Sequence, residues 1–176
     1  MLKGKRLTLR PVKRSDISFF LKWFNDPEVL QYLSRYLPMT EMAEQKWLEE
    51  LPSRAGTDVH LVIELTGETS GTPIGTLGLL RMDHKNQTAS FGIVIGEKDC
   101  WGKGYGTEAA RLLINYAFKE LNLNRITSHV YEFNERSIKM HKKAGFQEEG
   151  RMRQAVFKNG KFWDEIVFGI LREEWQ

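Results

Sequence analysis

Hydrophobic positions along the chain change their period several times, and each change marks an element. Leu7-Thr8-Leu9-Arg10 alternates with a period of two and predicts a first strand. Ile17, Phe20, Leu21 and Phe24 repeat at helical spacing behind Ser15, a capping residue type, and Asn25-Asp26-Pro27 stops that helix. Pro27 can open a short second helix through Leu33, and Thr40 caps a third that carries Met42, Trp47 and Leu48. Val59 to Leu65, Ile74 to Leu80 and Ala89 to Ile95 read as strands, with a turn at Asp83 to Gln87.

A long helical pattern then runs to about Leu121, its core face formed by Ala109, Leu112, Leu113, Tyr116 and Ala117. Ile126 to Tyr131 is the next strand. Asn134 caps a short helix that ends at Gly145, a C-cap glycine. Arg151 to Phe157 and Phe162 to Leu171 flank Asn159-Gly160, the strongest short hairpin signal. The order is mixed α/β (α+β): antiparallel hairpins early and late, with βαβ geometry between Phe91 and Tyr131.

Between the last of the middle strands and the long helix lies Trp101-Gly102-Lys103-Gly104-Tyr105-Gly106-Thr107-Glu108. Strand, glycine loop and helix start, in that order, build a phosphate cradle. Glycine turns main-chain N–H groups inward without a Cβ in the way, and the helix start adds unpaired donors and the positive end of a dipole. A pyrophosphate is the guest that fits. A Walker A loop is excluded, because Gly96 stands one residue too far from Gly102-Lys103 and Gly104 occupies the place of Ser or Thr. A dinucleotide fingerprint is disfavoured, because Thr107 fills its third glycine slot and the loop comes late in the chain.

Composition narrows the classes further. At 176 residues and 41% hydrophobic content the chain suits one domain, residues 1–176, with a sizeable core. No apolar run approaches the ~20 residues that span a bilayer. Met1-Leu2-Lys3-Gly4-Lys5-Arg6 lacks the apolar core of a signal peptide, so a cytoplasmic location and no membrane partner are expected. One cysteine, Cys100, excludes an internal disulfide and a cysteine-rich metal site, and no metal is expected. A net charge of +3 is too mild to argue for nucleic acid.

The glycine loop, followed by Asn134, Ser137, Ala144-Gly145-Phe146, Glu149-Gly150 and the Asn-Gly hairpin, resembles the GNAT superfamily of acyl-CoA-dependent N-acetyltransferases. The opening Leu7-Thr8-Leu9-Arg10-Pro11, the segment Asn25-Asp26-Pro27-Glu28-Val29 and the closing Glu173-Glu174-Trp175 look like the branch of ribosomal-protein N-terminal and spermidine acetyltransferases. The resemblance implies a mostly antiparallel sheet of about six to seven strands, two central parallel strands that splay, and flanking helices.

It also implies the chemistry. Acetyl-CoA is the acyl donor, and a primary amine attacks its thioester directly. The N–H groups of Gly102, Lys103, Gly104, Tyr105, Gly106 and Thr107 hold the pyrophosphate, with Trp101 where the family usually has Arg or Gln. The strand through Ile93, Val94 and Ile95 carries a bulge, for which Gly92 is suited, and pairs its free edge with the pantetheine amides. A main-chain N–H at Val94 or Ile95 meets the thioester oxygen. Asn134 and Ser137 contact the pantetheine arm, although Asn134 as a plain helix cap is equally consistent. Family members commonly carry Tyr at the place of His141, read as the acid that protonates the leaving thiolate. His141 is either that acid or a surface residue of its helix.

The proton on the amine separates acceptors. An α-amino group with a pKa of ~7.7–8.0 loses its proton at pH 7 for ~1–1.4 kcal/mol, whereas an amine near ~10.4 costs ~4.6 kcal/mol. Candidate acids are Glu28, Glu41, Glu44, Glu64 and Asp83, and His60 and His84 are lone histidines. Spacing selects none of them. Glu28 and Glu44 lie in the region that shapes the acceptor side in the family. Glu28 is taken as the base, beside a water relay. A protein N-terminal α-amine is the first choice of acceptor, with a polyamine or other small amine behind it, for a monomer or homodimer. A catalytically degenerate acyl-CoA-binding sensor is the alternative of another class.

Overall fold

Alternation along the third strand sorts the two faces of the molecule. Leu61, Ile63 and Leu65 face one way, and His60, Val62 and Glu64 the other. Ile63 and Leu65 join the main core with Leu7, Leu9, Leu77, Leu79 and Phe91, whereas Val62 joins a second cluster with Phe20 and Trp23. The computed structural model describes residues 1–67 and 71–175. Its strands are β1 (Leu2–Lys3), β2 (Leu7–Pro11), β3 (Val59–Leu65), β4 (Pro73–Asp83), β5 (Thr88–Ile95), β6 (Arg125–Tyr131), β7 (Gln147–Lys158) and β8 (Lys161–Leu171). They form one sheet of 8 strands in the order β1-β2-β3-β4-β5-β6-β8-β7. Every neighbouring pair is antiparallel except β5 and β6. The strand beyond the expected six to seven is β1, whose two residues are too few to show a period.

The helices are α1 (Ile17–Phe24), α2 (Pro27–Leu30), α3 (Glu41–Glu50), α4 (Tyr105–Lys119) and α5 (Glu135–Ala144). Their caps follow the sequence at most ends. Thr40 accepts from Ala43 N–H, Asp26 from Glu28 N–H and Asn134 from Ser137 N–H, while Gly145 closes α5 at φ 106°. Ser15 is different. It lies inside a 3₁₀ turn, Arg14–Asp16, and the carboxylate of Asp16 takes the Lys13 N–H instead. That carboxylate also binds the Arg10 guanidinium through two bonds of 2.8 Å, and Glu64 completes the ion cluster. A buried arginine held bidentately in this way fixes α1 against β2 and β3.

α4 lies on the main core with Ala109, Ala110, Leu113, Ile114, Ala117 and Phe118 buried. Its stripe is therefore rotated from the expected one, and Leu112 and Tyr116 sit at the margin. α1 and α3 cover the opposite face, where Phe20, Phe24 and Trp47 pack together. Gly96 is needed at their border, because a Cβ there would stand 2.1 Å from the Trp23 ring. The Asn159-Gly160 turn has φ of 53° and 79°, the two left-handed residues of a tight hairpin. Among the described residues no helix is long and apolar enough to cross a membrane.

Candidate active site

β5 and β6 run side by side only at Thr88↔Arg125, Ala89↔Ile126 and Ser90↔Thr127, and then part. A parallel pair buried between other strands opens into a gap there. Main-chain groups alternate along β5. Ile95 turns its carbonyl to the gap, where it accepts the Trp101 indole N–H at 2.7 Å, whereas Gly96 N–H turns to β4 and bonds Ile74. The N–H groups of Ile93 and Ile95 therefore line the open edge. The backbone of Val94 faces β4, opposite Thr76, with its carbonyl against Gly75. Of the two positions expected to offer a donor, Val94 and Ile95, only Ile95 presents its N–H to the gap, with Ile93 beside it, and Val94 does not. The expected bulge in β5 is also absent. Its register with β4 is continuous from Gly75↔Ile95 to Leu80↔Ser90, and the irregularity falls at Leu80/Asp83, where Arg81 has φ 52°.

Two cavities meet at Ile93 and Val94. The first, of about 290 Å³, is bounded by the glycine loop, the end of β5 and one face of α5. Gly102 and Gly104 have φ of 74° and 83°, a conformation that side chains resist, and Gly104 stands at the mouth of α4. Trp101, Gly102, Gly104, Tyr105, Gly106, Thr107, Asn134 and Ser137 all line this cavity. Lys103 does not. Its carbonyl instead accepts from Arg6, whose guanidinium and N–H also bind both oxygens of Glu108 at 2.8 and 2.9 Å. Arg6 further covers the Tyr105 ring at 4.6 Å, so the loop is clamped from the opposite end of the chain. Arg136, Lys139 and Lys143, spaced three and four residues apart on α5, add positive charge to the same wall. Their helical spacing is visible in the sequence, but only the fold shows that it faces the glycines. Arg136 lies 4.1 Å over the Trp101 ring, so Trp101 serves as a platform as well as a pin for Ile95. Cys100 lines the cavity half-buried, and burial pushes its thiol up, away from a reactive thiolate.

The second cavity, of about 660 Å³, lies on the α1–α3 face. It sorts the candidate bases. Glu28 is outside both cavities, exposed and paired with Lys98, which removes it from the position expected of a base. Glu41 is exposed and bonds Gln45, Glu64 binds Arg10, Asp83 holds its own turn, and His84 bonds the Gly56 carbonyl. Glu44 and His60 do line the cavity. Glu44 Oε2 and His60 Nε2 are buried without a hydrogen-bond partner among the described residues. Burial raises the Glu44 carboxyl, partly offset by the charge of Arg35, and burial lowers the His60 imidazole against the opposing pull of Asp58.

A bare floor joins this pair to the gap. His60, Gly78 and Gly92 lie opposite one another across β3, β4 and β5, so only His60 brings a side chain to that row. Two strand intervals, roughly 10 Å, separate the ends. A Cβ on Gly92 would meet nothing within 4 Å, so this glycine faces open space.

His141 is neither on the surface nor free. It is 2% exposed, stacked 5.2 Å from Phe168, and bonded at both nitrogens. Burial lowers it to about 4, so at neutral pH the ring is uncharged. Among the described residues no group of acidic, histidine or cysteine side chains is placed to hold a metal ion.

A family model for the acetyltransferase (GNAT) domain matches residues 6–147. The chain is 31% identical to an uncharacterized N-acetyltransferase, p20, of Bacillus licheniformis, covering 99% of this chain and 97% of that one. It is 32% identical to a putative ribosomal N-acetyltransferase, YdaF, of Bacillus subtilis strain 168, covering 86% and 90% of the two chains. In three dimensions it is similar to a spermidine N-acetyltransferase from Vibrio cholerae in complex with CoA and spermine, with a TM-score of 0.85, 26% identity and coverage of 96% and 97%. The matched residues take in the strand gap, the clamped glycine loop and the capped helix facing it, and so the chain belongs to the GNAT acetyltransferases and moves an acetyl group from acetyl-CoA to an amine.

Proposed function

We propose that the acceptor is a primary amine on a largely apolar body, with a protein N-terminal α-amine as the first choice. The observation that carries this reading is the make-up of the larger cavity. Phe20, Phe24 and Trp47 wall it, and among the described residues the buried Glu44 Oε2 and, elsewhere in the same wall, His60 Nε2 have no hydrogen-bond partner. The second carboxyl in the wall, Glu165, is engaged by His129 at 3.0 Å. Arg35 and Arg81 line the same space and oppose a polycation. An α-amine is already close to its neutral form at pH 7, so one carboxyl of raised pKa and one neutral imidazole are enough to take its proton.

In this reading the N–H groups of Gly102 to Thr107 hold the pyrophosphate, and Arg136, Lys139 and Lys143 add charge around it. Asn134 and Ser137 face the pantetheine arm. The N–H of Ile93 or Ile95 receives the thioester oxygen as negative charge develops on it. The amine nitrogen forms the new C–N bond, the C–S bond breaks, and of the two protons in play one goes to the thiolate and one to Glu44 through His60 or water. Alignment of the two substrates across the gap is the largest contribution, worth ~7–11 kcal/mol when reactants are well oriented.

A polyamine acceptor is the second reading, favoured by the likeness to the Vibrio cholerae enzyme with CoA and spermine. Thiol release separates the two. Peptides with a free N-terminal amine, the same peptides formylated, and spermidine are compared at saturating acetyl-CoA. The expected outcome is a kcat/KM at least tenfold higher for a free α-amine, abolished by formylation and lowered at least tenfold by Glu44→Gln with KM for acetyl-CoA unchanged. A preference for spermidine transfers the assignment to the second reading.

A further inference from the structure

The inner end of the gap between β5 and β6 is closed by side chains rather than by the ladder. The register stops at Ser90↔Thr127, so the Phe91 carbonyl is the first acceptor past it. Ser128 Oγ lies 3.1 Å from that oxygen and 2.8 Å from His141 Nε2. A hydroxyl thus stands where a main-chain N–H would otherwise continue the pairing. The other ring nitrogen of His141, Nδ1, is 2.8 Å from the Ser137 carbonyl. That oxygen only accepts, so Nδ1 carries the ring proton and Nε2 presents a lone pair to Ser128.

The protons in this network can be counted. At one end the ring N–H faces the Ser137 carbonyl at 2.8 Å and the Ser137 hydroxyl at 3.3 Å; at the other, the single Ser128 O–H faces two acceptors, Nε2 and the Phe91 carbonyl. The Ser128 proton is therefore shared between His141 and Phe91, and both must stay close to the hydroxyl. Phe91, Phe146 and Phe168 enclose the ring with centroids 5.1 to 5.8 Å away, and among the described residues its hydrogen-bond partners are all uncharged. Turning the ring toward the gap would break both of its bonds inside an apolar site.

We propose that Phe91, Ser128 and His141 form a wedge that sets the opening between β5 and β6, tying α5 to both strands, and that His141 is a positioning residue rather than the acid that protonates the leaving thiolate. Asn134, Ser137 and Arg136 ride on the same helix, so the wedge also fixes how far the α5 wall stands from the open edge of Ile93 and Ile95. The inference holds whichever amine is the acceptor, because it concerns the acetyl-CoA side of the gap.

The test compares Ser128→Ala, His141→Ala, the double variant and His141→Gln by steady-state kinetics. Glutamine can still bond Ser128 but cannot relay a proton. Ser128→Ala and His141→Ala are expected to raise KM for acetyl-CoA about tenfold each, with kcat at saturation within threefold of the original. The double variant is expected to be no worse than either single one, since both break one network. His141→Gln is expected to restore KM to within threefold and to leave both limbs of the kcat–pH profile in place. The proposal is overturned if His141→Gln loses kcat by the ~10²–10⁴ of a missing general acid and loses a pH limb while Ser128→Ala keeps normal kinetics. Additive losses in the double variant, or variants that melt earlier with KM unchanged, overturn it too. If His141→Ala does not fold, Ser128→Ala and His141→Gln still decide between these outcomes.

Discussion

Single residues at this site divide by whether backbone or side chain does the work. Gly104 is a backbone residue. At φ 83° it opens α4, and its absent Cβ leaves only Arg6 Nη2 nearby, at 3.4 Å. Gly104→Val forces a β-branched side chain into the left-handed region at a cost of more than ~1 kcal/mol and tilts the cradle N–H groups. The expected result is a rise of at least tenfold in KM for acetyl-CoA with the acceptor KM unchanged, measured by initial rates, and a matching loss of CoA affinity by calorimetry. Glu44 shows the opposite dependence. Nothing in its sequence neighbourhood sets it apart from Glu28 or Glu41, and only its burial without a partner singles it out.

Among the elements, the glycine loop was legible because strand, glycines and helix start follow one another in sequence. Its clamp was not. Arg6 and Glu108 are separated by 102 positions and meet only because β1 and β2 pack against α4. Arg6→Ala frees the Lys103 carbonyl and Glu108 Oε2, while the main-chain N–H of residue 6 still holds Oε1. The expected effect is a severalfold increase in KM for acetyl-CoA at unchanged kcat, with faster amide hydrogen exchange confined to the loop and the first turn of α4. Helix starts at Thr40 and Asn134 were readable from single capping residues, and that of α2 from Pro27, since a cap or a first-turn proline acts within three positions. Ser15 misled because a stronger acceptor, the Asp16 carboxylate, was recruited to Arg10 in the same turn.

At the scale of the whole molecule, the buried His141 ring makes stability depend on pH. His141 has a folded pKa of about 4, below the ordinary histidine value near ~6.5. A histidine held neutral contributes its full stability above the unfolded value. That contribution is lost as pH falls through the window from ~6.5 to about 4, and is constant below it. At 1.36 kcal/mol per pH unit this amounts to about 3 kcal/mol. Denaturant melts of the original protein and His141→Gln should therefore converge as the pH drops, the difference between them shrinking by roughly that amount. Parallel curves across the window would show that the ring already titrates normally.

Within the chain alone lay everything governed by near neighbours. That includes the strand and helix order, the caps, the Asn159-Gly160 turn and the glycine cradle with the family it resembles, because periodicity, capping and turn conformation act over a few positions. Tertiary structure alone decided which groups share a cavity. It left Glu28 outside both cavities and set Glu44 and His60 in the wall of the larger one, turned the N–H groups of Ile93 and Ile95 rather than Val94 to the open edge, and buried His141 in a bond to Ser128. Those outcomes depend on strand register, on which face of a sheet a side chain takes and on how far water is excluded, and each is fixed only when distant segments pack.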